Sequence, residues 1–232
     1  MASNNKRLGP AVVNGVPLYT SPSALQKFNT CQRQWFYRYV LRLPDKPPSK
    51  GQQRGKEGHA RIEHFLRTGQ DVLDPLETVG RVTGHIPVPG VGLLVEQAMG
   101  GAFPLVVDGL PLIGRIDVVN LRAAETGLVE VTDWKFKRDL GQYGATAAEL
   151  CDPAADAGIQ MVSYAEWVRR YTNARRIRLR HVTFQTQGRR NVEEVATEVA
   201  APTVPELFRH VEDLVTRLRV VAASPDVSRA SW

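Results

Sequence analysis

The 232-residue chain holds only two cysteines, Cys31 and Cys151. That is too few for a disulfide framework and too few for a four-thiolate metal site. No apolar run approaches the roughly 20 residues needed to cross a bilayer. The opening residues, MASNNKRLGPAVV, lack the long apolar core of a secretory signal. There is no internal repeat, no low-complexity tract and no linker long enough to separate two domains. Acidic residues are the minority charge, 24 against 30 Lys and Arg, for a formal net charge of +6. That balance permits a polyanionic partner without requiring one. What is present is ordinary: 43% apolar and 23% charged residues, which excludes wholesale disorder. The expectation is a cytoplasmic protein with no membrane partner, residues 1–20 forming a loose lead-in or edge hairpin and residues 21–232 one domain.

Ser21 then Pro22 is a helix-start signal, an N-cap hydroxyl followed by proline at the first helical position. Leu25, Phe28, Trp35, Phe36, Tyr39 and Val40 recur at helical spacing from there to about Arg42. The three prolines of Leu43–Ser49 stop the helix. A second helix is predicted over Gln52 to Arg67, with His59, Ile62, Phe65 and Leu66 in one stripe, and residues 69–90 are rich in turn signals. Val91–Met99, Leu105–Val107, Leu112–Leu121 and Leu128–Phe136 read as short strands broken by glycines. After a Gly- and Ala-rich loop over 138–157 come a helix at Gly158–Tyr171, a strand at Arg176–Thr186 and an edge strand at Val192–Ala200. Val204–Ala222 is a last amphipathic helix. This order predicts an α/β or α+β sandwich around one mostly central sheet.

The chemistry is concentrated in two strands. Asp117 interrupts LIGRIDVV, and Asp133 with Lys135 interrupts LVEVTDWKF. On adjacent antiparallel strands the two aspartates can face each other, and carboxylates so placed repel unless a cation lies between them. Oxygen ligands without thiols suit a hard ion such as Mg²⁺ or Mn²⁺. Lys135 shares a face with Asp133, where it can position an attacking water or neutralise charge on a phosphate oxygen. A plainer reading has Asp133 and Lys135 as a same-face ion pair, with Asp117 paired to Arg115 or exposed at a strand end. Gln160 and Tyr164, four apart, share a helix face and read alone as a hydrogen-bonded boundary pair. Trp35, Phe36 and Tyr39 read as helix core. The arginines between Arg169 and Arg180 read as a solvated face or as a phosphate-tracking surface.

Asp117 followed by Asp133-x-Lys135 resembles the PD-(D/E)XK nuclease superfamily, and more closely its RecB-like exonuclease branch. Further marks of that branch follow in order. Ser21–Leu25 with Asn29–Val40 is similar to its opening helix, and Gly55-Lys56-Glu57-Gly58-His59 to its histidine-bearing helix. Gly114-Arg115-Ile116-Asp117 resembles its G-x-I-D strand, and Gln160–Tyr164 its Q-x-x-x-Y helix. The resemblance spans about residues 20–222. It implies a restriction-endonuclease-like α/β core, a central mixed sheet flanked by helices. It implies metal binding by His59, Asp117, Asp133 and the backbone carbonyl of Trp134, with catalysis by Lys135 together with Asp117 and Asp133. Gln160, Tyr164 and Arg115 would support the site or bind DNA, and Glu96 would support it from behind the ligands. The implied activity is Mg²⁺- or Mn²⁺-dependent hydrolysis of DNA, as an exonuclease, in repair, recombination or defence. DNA is the implied partner, with a helicase, recombination or defence-complex subunit beside it, in a bacterial, archaeal or phage-infected cell. The alternatives are a catalytically silent DNA-binding or assembly subunit and metal-dependent hydrolysis of RNA or a nucleotide. Many members of the branch hold an iron–sulfur cluster. Cys31 falls at its first cysteine, but no C-terminal cysteine triplet follows, so no cluster is expected from this chain, whether it is a cluster-free member or a sequence cut short of that segment, and Cys31 reads as a small buried residue.

Overall fold

A computed structural model describes residues 12–44, 47–140, 145–188 and 190–223. Of the lead-in expected over 1–20, residues 1–11 lie outside the described residues; the described part begins with a hairpin, β1 (Val12–Val13) and β2 (Val16–Pro17), then two short helices, α1 (Pro22–Thr30) and α2 (Gln32–Tyr39). Ser21 caps α1 by accepting a hydrogen bond from the Ala24 amide, with Pro22 in the first turn. The single helix expected to run to Arg42 is broken at Cys31, whose backbone is extended. The break turns α2 back so that Trp35 meets Phe28 edge-on, ring centroids 5.3 Å apart. Trp35 and Phe36 are core residues, as their spacing suggests. Cys31 is partly exposed at the break rather than buried.

Helix α3 (Lys50–Thr68) begins in a capping box between Ser49 and Gln52 and ends at Gly69, whose left-handed backbone few other residues adopt cheaply. Helix α4 (Pro75–Val82) lies inside the stretch that had read only as turns. Its signal is short but present: Asp74 caps it reciprocally with Glu77, and Pro75 opens it. Glu77 is fully buried and receives a two-pronged hydrogen bond from the Arg61 guanidinium, which locks α4 to α3.

The strands β3 (Leu93–Met99), β4 (Leu105–Val107), β5 (Leu110–Leu112), β6 (Gly114–Asn120) and β7 (Leu128–Lys137) follow. The strand expected over Leu112–Leu121 therefore divides, because Leu110–Leu112 pairs with β4 as a separate hairpin. After α5 (Asp156–Tyr171) come β8 (Arg176–Gln185), β9 (Val192–Ala200) and α6 (Val204–Ala223). The main sheet has the order β3-β6-β7-β8-β9. Only the β7–β8 pair is parallel, as its crossover through α5 requires. The sheet is thus mixed and flanked by helices. One apolar cluster joins it to α1, α5 and α6, and a second joins it to α3 and α4.

Candidate active site

Strands β6 and β7 are paired from Asn120↔Glu130 to Val118↔Thr132. Past that point β6 stays with β3 as far as Gly114, and β7 stays with β8 as far as Lys137. The first residues beyond the last β6–β7 pair are Asp117 and Asp133. Asp117 Oδ2 occupies the gap and accepts the Trp134 amide hydrogen at 2.7 Å. In an extended strand the N–H and C=O of one residue face the same side, so the Trp134 carbonyl is turned toward β6 and Asp117 as well.

Three ligand-type side chains meet there. His59, Glu96 and Asp117 place one donor atom each within 4.8 Å of one another. His59 comes from α3, and its Nδ1 lies 3.5 Å from Asp117 Oδ1. Gly58 makes that approach possible: a Cβ at this position would lie 2.2 Å from Phe136 Cζ, so only glycine lets α3 settle on β7. Glu96 comes from the middle of β3. Its neighbours Val95 and Gln97 pair with Val118 and Ile116, whereas Glu96 itself has φ +52°. That left-handed conformation inside a strand costs of order 1–3 kcal/mol and is held by the pairing on either side.

The electrostatics of this trio are those of a crowded anionic site. Burial and then the neighbouring Asp117 carboxylate push the Glu96 carboxyl up. Burial would lower the His59 imidazole, but its hydrogen bond and charge contact with Asp117 leave it raised. A divalent cation relieves both effects at once, and one imidazole with two carboxylates is a donor set for a hard or borderline ion. The residues fit such a metal. Glu96 therefore stands among the ligand-type groups, whereas the sequence had suggested a place behind them.

Asp133 lies beside this trio and is almost fully buried. Lys135 Nζ is 2.6 Å from Asp133 Oδ2, so the plain ion-pair reading of these two is correct as far as it goes. Gln160, on α5, ties the pair together. Its Nε2 donates to Asp133 Oδ1 at 2.9 Å, while its Oε1 accepts from Lys135 Nζ at 3.0 Å. Tyr164 lies 2.6 Å from Gln160 Nε2 and donates its hydroxyl hydrogen to the Arg115 carbonyl at 2.8 Å. Burial opposes charge on Asp133, yet the Lys135 ammonium and then the His181 contact keep its carboxyl below the usual range. Burial likewise opposes charge on Lys135, and Asp133 holds the ammonium above its ordinary value. Burial and the two aspartates push the Tyr164 phenol well up, so it serves as a neutral donor.

Residues 19–85 match the family model of the PD-(D/E)XK nuclease superfamily. The whole architecture aligns with an inferred exonuclease from Eubacterium rectale at a TM-score of 0.57 and 12% identity, covering 96% of this chain and 86% of that one. The fold is α/β and restriction-endonuclease-like. A looser alignment is found with LHK-Exo, a structure in complex with dAMP (TM-score 0.44, 12% identity, 88% of this chain and 89% of that one). Another is found with a phage-related exonuclease from Haemophilus somnus 129PT (TM-score 0.39, 15% identity, 87% and 93%). No curated protein matches the sequence.

Within this nuclease fold, His59, Asp117, Asp133, Trp134, Lys135, Gln160 and Tyr164 all gather at the β6–β7 gap. Arg115 contributes its backbone carbonyl, while its side chain is mostly exposed and pairs at 3.7 Å with Glu96 rather than with Asp117. The arginines between Arg169 and Arg180 are largely neutralised. Arg169 and Arg170 pair with Glu166, Arg176 with Glu198, and Arg178 and Arg180 with Glu130 and Glu194. One residue at the site escaped sequence reasoning. His181 on β8 stands in register with Asp133, its Nε2 3.3 Å from Asp133 Oδ2. Its only sequence signal is a polar interruption in RLRHVTFQ, which looks like any other strand residue until the register is known.

Proposed function

We propose that this protein is a Mg²⁺- or Mn²⁺-dependent deoxyribonuclease that hydrolyses phosphodiester bonds and acts from DNA ends, in the manner of the RecB-like branch. One observation carries the reading: a half-buried lysine, held by a carboxylate and an amide, stands beside a carboxylate–imidazole trio at a break in the sheet. A structural ion pair needs no such trio, and a silent fold has no physical use for Glu96 at φ +52° next to the Asp117 carboxylate.

His59, Glu96, Asp117 and Asp133 would hold the metal, with the Trp134 carbonyl as a further oxygen ligand. When bound, the metal polarises the scissile phosphate and lowers the pKa of a coordinated water. The chain's own residues do the rest. Asp117 keeps its carboxylate aimed by accepting the Trp134 amide, so no reorientation is needed at the moment of reaction. Lys135 supplies a fixed positive charge, and the hydrogens on Nζ can orient the attacking water or meet charge developing on a phosphoryl oxygen. Gln160 sets the height of that ammonium by bonding it and Asp133 together. Tyr164 anchors Gln160 to the backbone of β6. No serine or cysteine stands beside a base among these residues, so direct attack by water is favoured over a covalent enzyme intermediate.

The test is cleavage of linear DNA by the purified protein with Mg²⁺ or Mn²⁺, with EDTA, and with blocked 5′ or 3′ ends. Metal-dependent loss of mononucleotides from one unblocked end supports the reading. Closed circular DNA degraded as fast as linear DNA would contradict the end dependence, and no cleavage with any divalent ion would contradict the nuclease.

A further inference from the structure

His181 touches Asp133 and has no part in the proposed mechanism. This imidazole is the inward-facing member of a same-face column. On β7 the column runs Val131, Asp133, Lys135, and on β8 it runs Leu179, His181, Thr183, each pair in register. Val131 and Leu179 are fully buried core residues. At Asp133 and His181 the column turns from apolar to polar, and at Lys135 and Thr183 it opens into a cavity of about 490 Å³, also lined by Gln160. His181 thus lies where core ends and reaction space begins.

Its side chain is 8% exposed. Its Nε2 is buried without a hydrogen-bond partner, and Asp133 Oδ2 is buried without an aligned one. The Lys135 ammonium, 2.6 Å away, is the contact that oxygen has. An unpartnered ring nitrogen and a carboxylate oxygen with a free lone pair therefore stand 3.3 Å apart. Leaving the nitrogen buried and unpaired costs about 1–3 kcal/mol, and a shift of a few tenths of an ångström removes that penalty.

The geometry has a consequence for Lys135. Nζ carries three hydrogens, and contacts to Asp133 Oδ2 and Gln160 Oε1 leave a third for water or a phosphate. Oδ2 has room for a second donor, which would fix the rotation of the carboxylate while Lys135 shares its charge with the reacting group. Gln160 already serves Oδ1 and cannot serve both oxygens. His181, with its proton on Nε2, is placed to serve Oδ2 from the strand on the other side.

We propose that His181 is a positioning residue: it holds Asp133 Oδ2 from β8, so that Asp133 keeps its ligand orientation while Lys135 acts on the reacting phosphate. This rests on the nuclease reading above. It assigns to β8 a role that none of the resemblance motifs includes, since all of them lie on α1–α3, β6, β7 and α5.

The experiment compares wild type with His181→Leu and His181→Gln. Leucine fills similar space without a donor, and the glutamine amide can reach where Nε2 lies. Three quantities are measured: Mn²⁺ affinity from the free-ion paramagnetic resonance signal, kcat and KM on linear DNA, and the melting temperature. Loss of a partner behind a metal ligand typically costs 10–100-fold in metal affinity or activity. His181→Leu is expected to weaken Mn²⁺ binding and lower kcat within that range, with KM for DNA unchanged, and His181→Gln to recover most of both. Should His181→Leu fail to fold, His181→Asn, whose amide stops short of Oδ2, is expected to show the same losses. Wild-type Mn²⁺ affinity and kcat in the donor-less variant overturn the proposal. So does equal impairment of the glutamine and leucine variants, which would mean packing alone. The resonance measurement separates the two levels. A wild type that binds Mn²⁺ more tightly than His181→Leu but cuts no DNA overturns the nuclease reading and leaves the positioning role standing. A wild type that binds no Mn²⁺ overturns both.

Discussion

Trp134 gives its backbone N–H to Asp117 across the gap where β6 and β7 part, at 2.7 Å. The contact makes one carboxylate do two tasks, closing an open end of a strand pair and presenting its other oxygen to His59 at 3.5 Å. The two tasks are separable by mutation. Asp117→Asn keeps an oxygen that accepts the Trp134 amide, so the melting temperature is expected to change little. Cleavage is expected to fall at least ~100-fold, because the charge that binds metal is gone. Asp117→Leu strands the buried amide and is expected to cost about 1–3 kcal/mol of stability in addition. Thermal melts and initial cleavage rates on both variants check the separation.

Glu96 gives the opposite sign. Its carboxylate is crowded by Asp117, and its backbone is strained at φ +52°. Glu96→Gly relieves both in the metal-free protein. It is expected to raise the melting temperature without metal, against the usual cost of glycine within a strand. The same change is expected to reduce the stabilisation gained on adding Mn²⁺, since a ligand is lost. A variant that melts lower without metal and gains as much from Mn²⁺ as wild type would remove Glu96 from the site.

The sequence made the type and order of most elements legible, and the reason is physical. Strand alternation, the Ser21-Pro22 start and the long apolar stripe of α6 are local signals that survive folding. The break at Cys31 was hidden because the helical spacing continues on both sides of it; what separates α1 from α2 is the packing of Phe28 on Trp35, a tertiary effect. The site divides in the same way. Asp117, Asp133, Lys135, His59, Gln160 and Tyr164 stand out as polar residues in fixed motifs. Glu96 and His181 sit among other polar residues of their strands, and the registers of β3 with β6 and of β7 with β8 are what set Glu96 against Asp117 and His181 against Asp133.

Gly58 is a steric requirement rather than a turn. The Phe136 ring that a Cβ would strike is stacked on Phe184, centroids 4.9 Å apart, and has little room to retreat. Gly58→Ala is expected to destabilise by about 1–3 kcal/mol through overpacking. It is also expected to weaken Mn²⁺ binding by moving His59 away from Asp117. Chemical denaturation and metal titration of the same variant measure the two effects.

Away from the site, Glu194 joins Arg180, Arg178 and His85. Burial would raise its carboxyl, but the Arg180 hydrogen bond and charge, with help from His85 and Arg178, bring it from 4.5 down to about 2. Because the folded value lies below the unfolded one, the stabilisation is fully present above pH 4.5 and is lost as pH falls toward 2. It amounts to at most about 3 kcal/mol. Glu194→Gln is expected to be less stable than wild type at pH 7 and to lose less stability between pH 4.5 and 2. Parallel acid titration curves for the two proteins would contradict this.

The most direct measurement of the central claim is Mn²⁺ binding and DNA cleavage on the same preparations of wild type, Asp117→Asn and Lys135→Ala. The account predicts that wild type binds Mn²⁺ and cuts. Asp117→Asn should lose both, and Lys135→Ala should retain Mn²⁺ while cleavage falls at least ~100-fold, because the lysine acts on the reacting groups and is not a ligand. Wild-type cleavage by Lys135→Ala, or undiminished Mn²⁺ binding by Asp117→Asn, would contradict it.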